Sequence, residues 1–385
     1  MDWIKLHTIT DRDFSNKKVF SMSLFNSQSQ EYRKFEKYLR DLEIMVPRLK
    51  KTFPDWKQII YLDGFLLFPK SVSDNVHPSR KRVLEFITKY REDPDVQILL
   101  YMFTSSNLIV NKKPVPHHMG TVGTMVRFIP LFNPAIKYDM IWVLDVDLED
   151  PYFTHMKSVL PRFESNHKTK LYLGLNTFGY TWKARIPDPN HKYALVGGTI
   201  VSKIQFPPFL INKFMEEVET KTIKWDKFIN EASSNPERYR FTKGSELFPY
   251  GGDEWFLNSI VYDYLQEKHI PVMVEYRLNV RGLVKWLSGN SKAFEKVINR
   301  SKRQYDEMND IEMKVWQRQT PELWREYRSK ALSYVEFLFN QPEIQNLIKN
   351  KEWLSDKERA YVQNLILMFK IMKKNDGYFF IKEEI

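Results

Sequence analysis

Two aspartates one residue apart follow an apolar segment near the middle of this chain. Residues 140–147 read MIWVLDVD, so Asp145 and Asp147 come where a predicted strand gives way to a loop. Strand side chains alternate, so we expect both carboxylates on the same side. Ligands of open α/β sheets bind at the carboxyl ends of strands, and two carboxylates there suit a hard divalent cation that also binds phosphate oxygens. The alternative is an acidic turn that closes a core strand.

A second acidic pair, Asp253 and Glu254, follows two glycines at the start of a predicted helix that runs to about Tyr264. The helix N-terminus stabilises a carboxylate there. Ordinary capping also places acids at this position, so the pair alone leaves both a structural and a chemical role open.

The segments that must position these acids alternate between strand and helix patterns. Predicted strands cover Lys18–Asn26, Gln58–Asp63 and Val96–Phe103. Amphipathic helices are predicted between them, which is the spacing of βαβ units and indicates an α/β fold. From about residue 288 the strand signals end and helical periodicity begins, which predicts a domain over 1–288 and a helical appendage over 289–385 packed on it.

The composition and net charge of the chain limit the classes of function that it could have. The 385 residues are 43% hydrophobic, contain no cysteine and carry a net charge of +11. The first residues lack the apolar core of a signal peptide, and the longest apolar runs fall far short of the ~20 residues that span a bilayer. We therefore expect a cytoplasmic chain, soluble or peripherally attached to a membrane. The positive charge favours phosphate-bearing ligands, nucleic acid or an anionic membrane, but no spacing of a specific nucleic-acid-binding motif accompanies it.

Four segments in order resemble the glycosyltransferase A-type (GT-A) superfamily, and more narrowly the small glycosyltransferases encoded by large DNA viruses. They are FSMSLF at 20–25, GTVGTMVRFIPLF at 120–132, DVD at 145–147 and YGGDEWFLN at 250–258. The resemblance covers roughly residues 15–280. It implies a GT-A-type mixed sheet with flanking helices, while the C-terminal segment has no counterpart. A host-cytoplasmic location follows if the source is viral.

The resemblance also implies a reaction. A sugar passes from a UDP- or GDP-sugar donor to a hydroxyl of a glycan or glycoprotein, with Mn²⁺ or Mg²⁺ on the donor diphosphate. It assigns Asp147 as a direct metal ligand, and Asp145 to the ribose or, through water, to the metal. In inverting members an acid at the start of the late helix is the general base, for which Asp253 is our first choice and Glu254 the second.

The donor nucleotide is expected at the ends of the first strands. Ser23, Phe25 and Asn26 would lie under the base, with the Phe25 ring packed on it and Asn26 hydrogen-bonded to it. Asp63 would accept a hydrogen bond from base or ribose. A core Phe and a turn Asp before Gly64 are the structural alternatives at these two positions.

Further donor contacts are expected from the middle of the chain. Arg127 stands in an apolar stretch, and buried arginines are rarely unpaired, so it binds the donor or forms a salt bridge, with Asp145 as a candidate partner. Gly197 and Gly198 would lie beside the donor sugar, where side chains would clash. The late His motif that supplies another metal ligand in the family is absent, which leaves the third ligand and the stereochemical outcome open.

Two other functions compete with a glycosyltransferase. Sugar-phosphate nucleotidyltransferases share a related sheet, but they carry a Gly-rich basic loop after the first strand, where this chain reads FNSQSQ at 25–30. A basic module that binds nucleic acid or an anionic membrane without catalysis is the second alternative.

Overall fold

The computed structural model describes residues 3–25, 35–68, 76–103, 109–110, 113–114, 119–148, 150–177, 193, 195–219, 252–277, 280, 284, 292–318, 321–349 and 378–381. The strands are β1 Ile4–Thr8, β2 Lys18–Leu24, β3 Trp56–Asp63, β4 Val96–Phe103, β5 Ile109–Val110, β6 Lys113–Pro114, β7 Met140–Leu144, β8 Leu171–Thr177, β9 Thr199–Ser202, β10 Val272–Arg277 and β11 Tyr378–Ile381.

The α-helices are α1 Phe35–Thr52, α2 Arg80–Tyr90, α3 Met119–Val126, α4 Ile129–Phe132, α5 Asp150–Ser165, α6 Pro208–Glu219, α7 Gly252–Phe256, α8 Tyr262–Glu267, α9 Lys292–Arg300, α10 Lys302–Arg318, α11 Pro321–Asn340 and α12 Pro342–Lys349. A short 3₁₀ helix covers Gly64–Leu66, and a π-helical turn, Leu257–Val261, joins α7 to α8.

The chain forms two compact units. Unit 1 comprises Met1–Leu148 and Leu195–Ile270, and unit 2 comprises Glu149–Ala194 and Pro271–Ile385. The predicted fold class, an α/β mixed sheet with flanking helices, is confirmed. No helix in the described parts of the chain is long and apolar enough to cross a bilayer.

The sheet of unit 1 runs in the order β1-β4-β3-β2-β7-β9. Strands β4, β3, β2 and β7 are parallel, whereas β1 is antiparallel to β4 and β9 is antiparallel to β7. Near-continuous apolar sequences form the central strands, as expected for parallel strands covered on both faces. The carboxyl ends of β2, β3 and β7 therefore open at one edge, which is where the site residues of unit 1 begin.

Helix α1 shows how local sequence builds this unit. Its apolar residues recur at helical spacing and are buried against the sheet, namely Phe35, Leu39, Leu42, Met45, Val46 and Leu49. Each buried side chain of this kind contributes about 1.5–3 kcal/mol relative to an exposed one. An aromatic cluster under the sheet, in which Phe20 stacks on Trp56 with ring centroids 4.8 Å apart and contacts Trp142, fixes the amino ends of three strands.

Unit 2 is built around a buried carboxylate. In this unit β8 is parallel to β10, and β11 is antiparallel to β10. Glu275 of β10 lies 2.7 Å from Nε2 of His155 and 2.7 Å from Nη2 of Arg328, and it accepts a hydrogen bond from the Tyr172 hydroxyl. The network joins α5, β8 and α11 to β10. Burial alone would raise the pKa of Glu275, but His155, Arg328 and Tyr172 outweigh it and hold that pKa well below its usual range.

The C-terminal segment differs from its sequence pattern in one place. Helices α9 to α12 confirm helical structure over 292–349 where the structure describes it. The helical pattern was expected to continue to the end of the chain, and that was wrong for Tyr378–Ile381, which forms β11 against β10. The aromatic and β-branched residues of this segment favour a strand when an edge is there to pair with.

Candidate active site

Arg127 joins the two acidic motifs of unit 1. Its Nη1 is paired with Oδ1 of Asp145, directly after β7, and its Nη2 lies 2.9 Å from Oδ2 of Asp253 in the first turn of α7. The Arg127 and Asp253 side chains are 8% and 9% exposed, whereas Asp145 is 41% exposed. A bidentate guanidinium suits two carboxylates in fixed directions. The salt bridge to Asp145 that the sequence left open is therefore present, and Asp253 is a second partner.

The neighbouring strand fixes the backbone of Arg127. The Ser21 hydroxyl of β2 donates to the Arg127 carbonyl oxygen at 2.5 Å, and the guanidinium carbon lies 5.3 Å from the centre of the Phe128 ring. The Nε of Arg127 is buried and has no hydrogen-bond partner among the described residues. A buried donor without a partner is costly.

Gly197 and Gly198 bring their backbone against these charged groups. A Cβ at Gly198 would overlap the Asp145 carboxylate, and one at Gly197 would lie 2.8 Å from Nη2 of Arg127 and 3.2 Å from Oδ2 of Asp253. Only glycine allows this approach. The groups that a side chain at these positions would meet are the site's own charged side chains, and the place of the two glycines beside a donor sugar stays a prediction.

Asn258 holds the segment that carries the glycines. Its Nδ2 donates to the Leu195 carbonyl at 3.0 Å, its Oδ1 accepts from the Leu195 amide at 2.9 Å, and the same Nδ2 donates to the Glu254 carbonyl at 2.8 Å. The residue is 1% exposed and lies in the π-helical turn. Such turns are frequent at functional sites. Sequence reasoning assigned Asn258 no role, although its position four residues after Glu254 places it on the same helix face.

Glu254 is the other acid at the start of α7. It is 8% exposed, and Asp253 is 6% exposed as a whole residue. Both carboxylates are buried in one helical turn, whereas the capping side chains at helix starts are usually exposed to solvent. Of the two, Asp253 is the acid whose carboxylate is hydrogen-bonded by Arg127.

The expected nucleotide side of the site is described in part. Ser23 is 7% exposed near the end of β2. The Phe25 ring lies against Gly123 of α3, where a Cβ would overlap it, and Asn26 lies outside the described residues. Asp63 is 1% exposed and accepts from the Phe65 amide at 2.9 Å as the cap of the 3₁₀ helix. The turn role considered for Asp63 is thus present, and its role toward a ligand stays a prediction.

Tyr101 is a residue that the sequence interpretation missed. It is directly opposite Asp63 in the β3–β4 register, and its buried hydroxyl has no hydrogen-bond partner among the described residues. Burial, and then the Asp63 carboxylate, raise the pKa of Tyr101 well above its usual value. The phenol therefore stays neutral and is able to donate to a ligand oxygen at the end of these strands. The signal in the sequence was a tyrosine near the end of a strand that was otherwise interpreted as core.

The Asp-x-Asp pair is oriented by a turn and not by the strand. Strand β7 ends at Leu144, so alternation along a strand does not fix the relative direction of Asp145 and Asp147. Asp147 is exposed, and Nη1 of Arg48 in α1 donates to the Leu148 carbonyl at 3.2 Å, which holds the loop that follows. Within the described parts of the chain, no three acidic or histidine side chains are arranged to hold a metal ion.

The residues present nevertheless fit a divalent cation that brings its own further ligands. The guanidinium of Arg127 contacts the carboxylates of Asp145 and Asp253, and Asp147 follows Asp145 by two residues. Among the described residues of the site, the carboxylates therefore outnumber the cations. Mg²⁺ and Mn²⁺ accept one or two protein carboxylates together with phosphate oxygens and water, so Asp145 and Asp147 would provide the protein's share.

Other residues with side chains suited to ligand contact lie outside the described residues, namely His117, His118 and the aromatic residues of 178–182, as does the first of the two glycines before Asp253, at 251.

No family model matches this chain, and no curated protein matches it. Among solved structures, it is similar to the crystal structure of 4-diphosphocytidyl-2C-methyl-D-erythritol synthase from Anaerococcus prevotii. The identity is 12%, the likeness covers 65% of this chain and 96% of that one, and the TM-score is 0.28. A likeness at this level carries no argument about what the chain does.

Proposed function

We propose that the chain is a metal-dependent glycosyltransferase that moves a sugar from a nucleotide-sugar donor to a hydroxyl of a glycan or glycoprotein. The observation that carries the proposal is the bridge from the buried Arg127 to both Asp145 and Asp253. It joins an acid at the carboxyl end of a parallel strand to an acid at a helix start. The first position suits binding of the donor diphosphate, and the second suits a general base that takes the proton of the acceptor hydroxyl.

The donor would lie across the ends of β2, β3 and β7. We assign the Phe25 ring to the base, and Asp63 together with the buried Tyr101 hydroxyl to the base or the ribose. Gly197 and Gly198 let the backbone approach the charged side chains of Asp145, Arg127 and Asp253, which keeps these groups together at the strand ends where the donor would bind.

Asp145 and Asp147 would hold Mn²⁺ or Mg²⁺, which supplies charge neutralisation for the departing nucleoside diphosphate. The protein's own residues do the rest. Arg127 orients Asp253 through the hydrogen bond at 2.9 Å. Asp253, or Glu254 beside it, would accept the proton of the acceptor hydroxyl as that oxygen attacks the anomeric carbon of the donor sugar.

A thermal-shift panel on the full chain tests the proposal. The panel compares UDP, GDP and ADP and their sugars, each with Mn²⁺ and with a chelator. A nucleotide present at 100 times its dissociation constant should stabilise the protein by about 2.7 kcal/mol, and only with the metal. Products then separate the enzyme classes, because sugar transfer releases a nucleoside diphosphate and nucleotidyl transfer releases pyrophosphate. Stabilisation by DNA without any by nucleotides would contradict the proposal.

A further inference from the structure

Helices α1 and α2 of unit 1 carry a large part of the protein's positive charge. Helix α1 contains five lysines and arginines and three acids, and α2 contains four lysines and arginines and one acid. Their net charge is therefore +5, out of +11 for the whole chain, although they comprise only 18 and 11 of its 385 residues. The charge is concentrated on these two helices and is not spread evenly over the protein.

The two helices lie side by side on one face of the unit 1 sheet. Nε2 of Gln58 in β3 donates to the Val46 carbonyl of α1 at 3.0 Å, which holds α1 against the sheet. The hydroxyl of Ser79, directly before α2, donates to the carboxylate of Glu36 in α1 at 2.6 Å. The crossovers from β2 to β3 and from β3 to β4 join neighbouring parallel strands and have the same hand, which also places both helices on the same side. Their sides turned away from the sheet therefore form one surface.

The cations of this surface are not neutralised by its acids. Asp41 is paired with Lys37 at 2.7 Å, Glu43 is paired with Arg82, and α2 contains the single acid Glu85. Four exposed cations form no ion pair among the described residues, namely Arg40, Lys51, Arg80 and Lys81. The surface therefore presents uncompensated positive charge to a partner, and a partner with negative charge is complementary to it.

Exposed aliphatic side chains stand among these cations. Ile44 is 45% exposed and lies four residues after Arg40 and seven before Lys51, so the three side chains share one side of α1. On α2, Leu84 is 40% exposed and lies four residues after Arg80. Cations beside exposed aliphatic groups are typical of protein surfaces that lie on anionic lipid. Contacts to nucleic-acid phosphates use charged and polar groups, so the aliphatic residues favour a bilayer as the partner.

We infer that this surface docks the protein on an anionic lipid bilayer. Its members are Arg40, Ile44 and Lys51 of α1 with Arg80, Lys81 and Leu84 of α2, and we call it the α1–α2 face. The cations contact the negatively charged headgroups, and the aliphatic side chains enter the interfacial layer beneath them. The inference goes beyond the proposed sugar transfer and does not depend on it.

The test is flotation of the full-length chain with vesicles of phosphatidylcholine, alone or mixed with phosphatidylserine. One variant combines Arg40→Gln with Lys51→Gln, and its control combines Lys302→Gln with Lys314→Gln, which removes the same charge from two exposed positions of α10 in unit 2. The second variant is Ile44→Ser.

The control for Ile44→Ser is Met313→Ser, because Met313 is 48% exposed on α10. All of these side chains are exposed, so the substitutions are expected to leave the fold intact, which urea denaturation checks. Retention of a DNA duplex is measured on the same proteins.

We expect the wild type to float with the vesicles that contain phosphatidylserine and not with phosphatidylcholine alone. Its partition onto the anionic vesicles should fall roughly tenfold in the double variant of α1 and by a smaller factor in Ile44→Ser, while both α10 controls bind as the wild type does. Absence of flotation, flotation without phosphatidylserine, or equal losses in the α10 controls would overturn the inference. DNA retention that the α1 double variant loses, without any flotation of the wild type, would assign the face to nucleic acid and overturn it as well.

Discussion

Nη2 of Arg127 donates to Oδ2 of Asp253 at 2.9 Å, and both side chains are less than one-tenth exposed. The two residues are 126 positions apart in sequence. Their contact makes one site of the loop after α3 and the start of α7. Nη1 of the same guanidinium is paired with Asp145. Arg127 therefore holds in place both acidic motifs that the proposed sugar transfer needs.

Loss of the Arg127 charge should destabilise unit 1 strongly. Arg127→Met leaves the Asp253 carboxylate buried without its partner, and breaking a buried pair in this way costs about 3–5 kcal/mol. The free energy of unfolding is measured by urea denaturation. The double variant Arg127→Met with Asp253→Asn removes the uncompensated charge and should recover much of that loss. If the losses in the free energy of unfolding of the two single variants simply add in the double variant, Arg127 and Asp253 are not coupled.

A methyl group at residue 198 should disturb Asp145. Gly198→Ala places a Cβ where the carboxylate of Asp145 lies, and overpacking of this kind costs about 1–3 kcal/mol. The Asp145→Ala background lacks the clashing carboxylate, so Gly198→Ala should lower the free energy of unfolding less there than in the wild type. Urea denaturation of the wild type, both single variants and the double variant checks this, and an equal loss in the two backgrounds would contradict the close approach.

The identity of the base is decided by two isosteric variants. Asp253→Asn should lower turnover by about 10²–10⁴-fold while donor affinity stays nearly unchanged, because proton transfer is lost and the hydrogen bond from Arg127 can still be accepted. Glu254→Gln is the comparison. If Glu254→Gln is inactive and Asp253→Asn retains turnover, the base is Glu254. If both variants stay active, the acids bind the acceptor and the enzyme is a retaining one.

Much of this architecture was predictable because it is local. The strands β3 and β4, the helix α2 and the end of the Asp-x-Asp strand follow from apolar runs, turn residues and caps within a few positions of one another. The strand β1, at the far edge of the sheet, was not predicted, since its exposed residues give no periodic signal. A pairing of Arg127 with Asp145 was foreseen as one alternative, because a buried Arg needs an acid nearby.

The contacts that complete the site depend on tertiary packing. The pairing of Asn258 with the backbone of Leu195, and of Arg127 with Asp253, joins segments 63 and 126 residues apart. No periodicity in either segment encodes such a distance. The Tyr101 hydroxyl was missed for the same reason: its position opposite Asp63 follows from the strand register, which the sequence does not display.

Acid should weaken unit 2 through Glu275. The folded-state pKa of this carboxyl lies below its unfolded value of about 4.3, so its stabilising contribution is present above that pH and is lost as the pH falls below it. Urea denaturation is measured between pH 6 and pH 3, roughly the range over which a carboxyl of ordinary pKa titrates. The free energy of unfolding should fall steeply with pH in the wild type and less steeply in Glu275→Gln. Glu322→Gln, whose side chain is 72% exposed, is the control. Equal slopes in all three proteins would contradict the role of the buried carboxylate.

Calorimetric titration of UDP and GDP in Mn²⁺ tests the central claim most directly, with wild type and Asp147→Asn compared. Asp147 is exposed, so its replacement should leave the free energy of unfolding unchanged. We expect one nucleotide to bind the wild type with Mn²⁺ and not with a chelator, and the Asp147→Asn variant to lose that binding and sugar transfer together. Metal-independent nucleotide binding, or wild-type turnover by Asp147→Asn in Mn²⁺, would contradict the account.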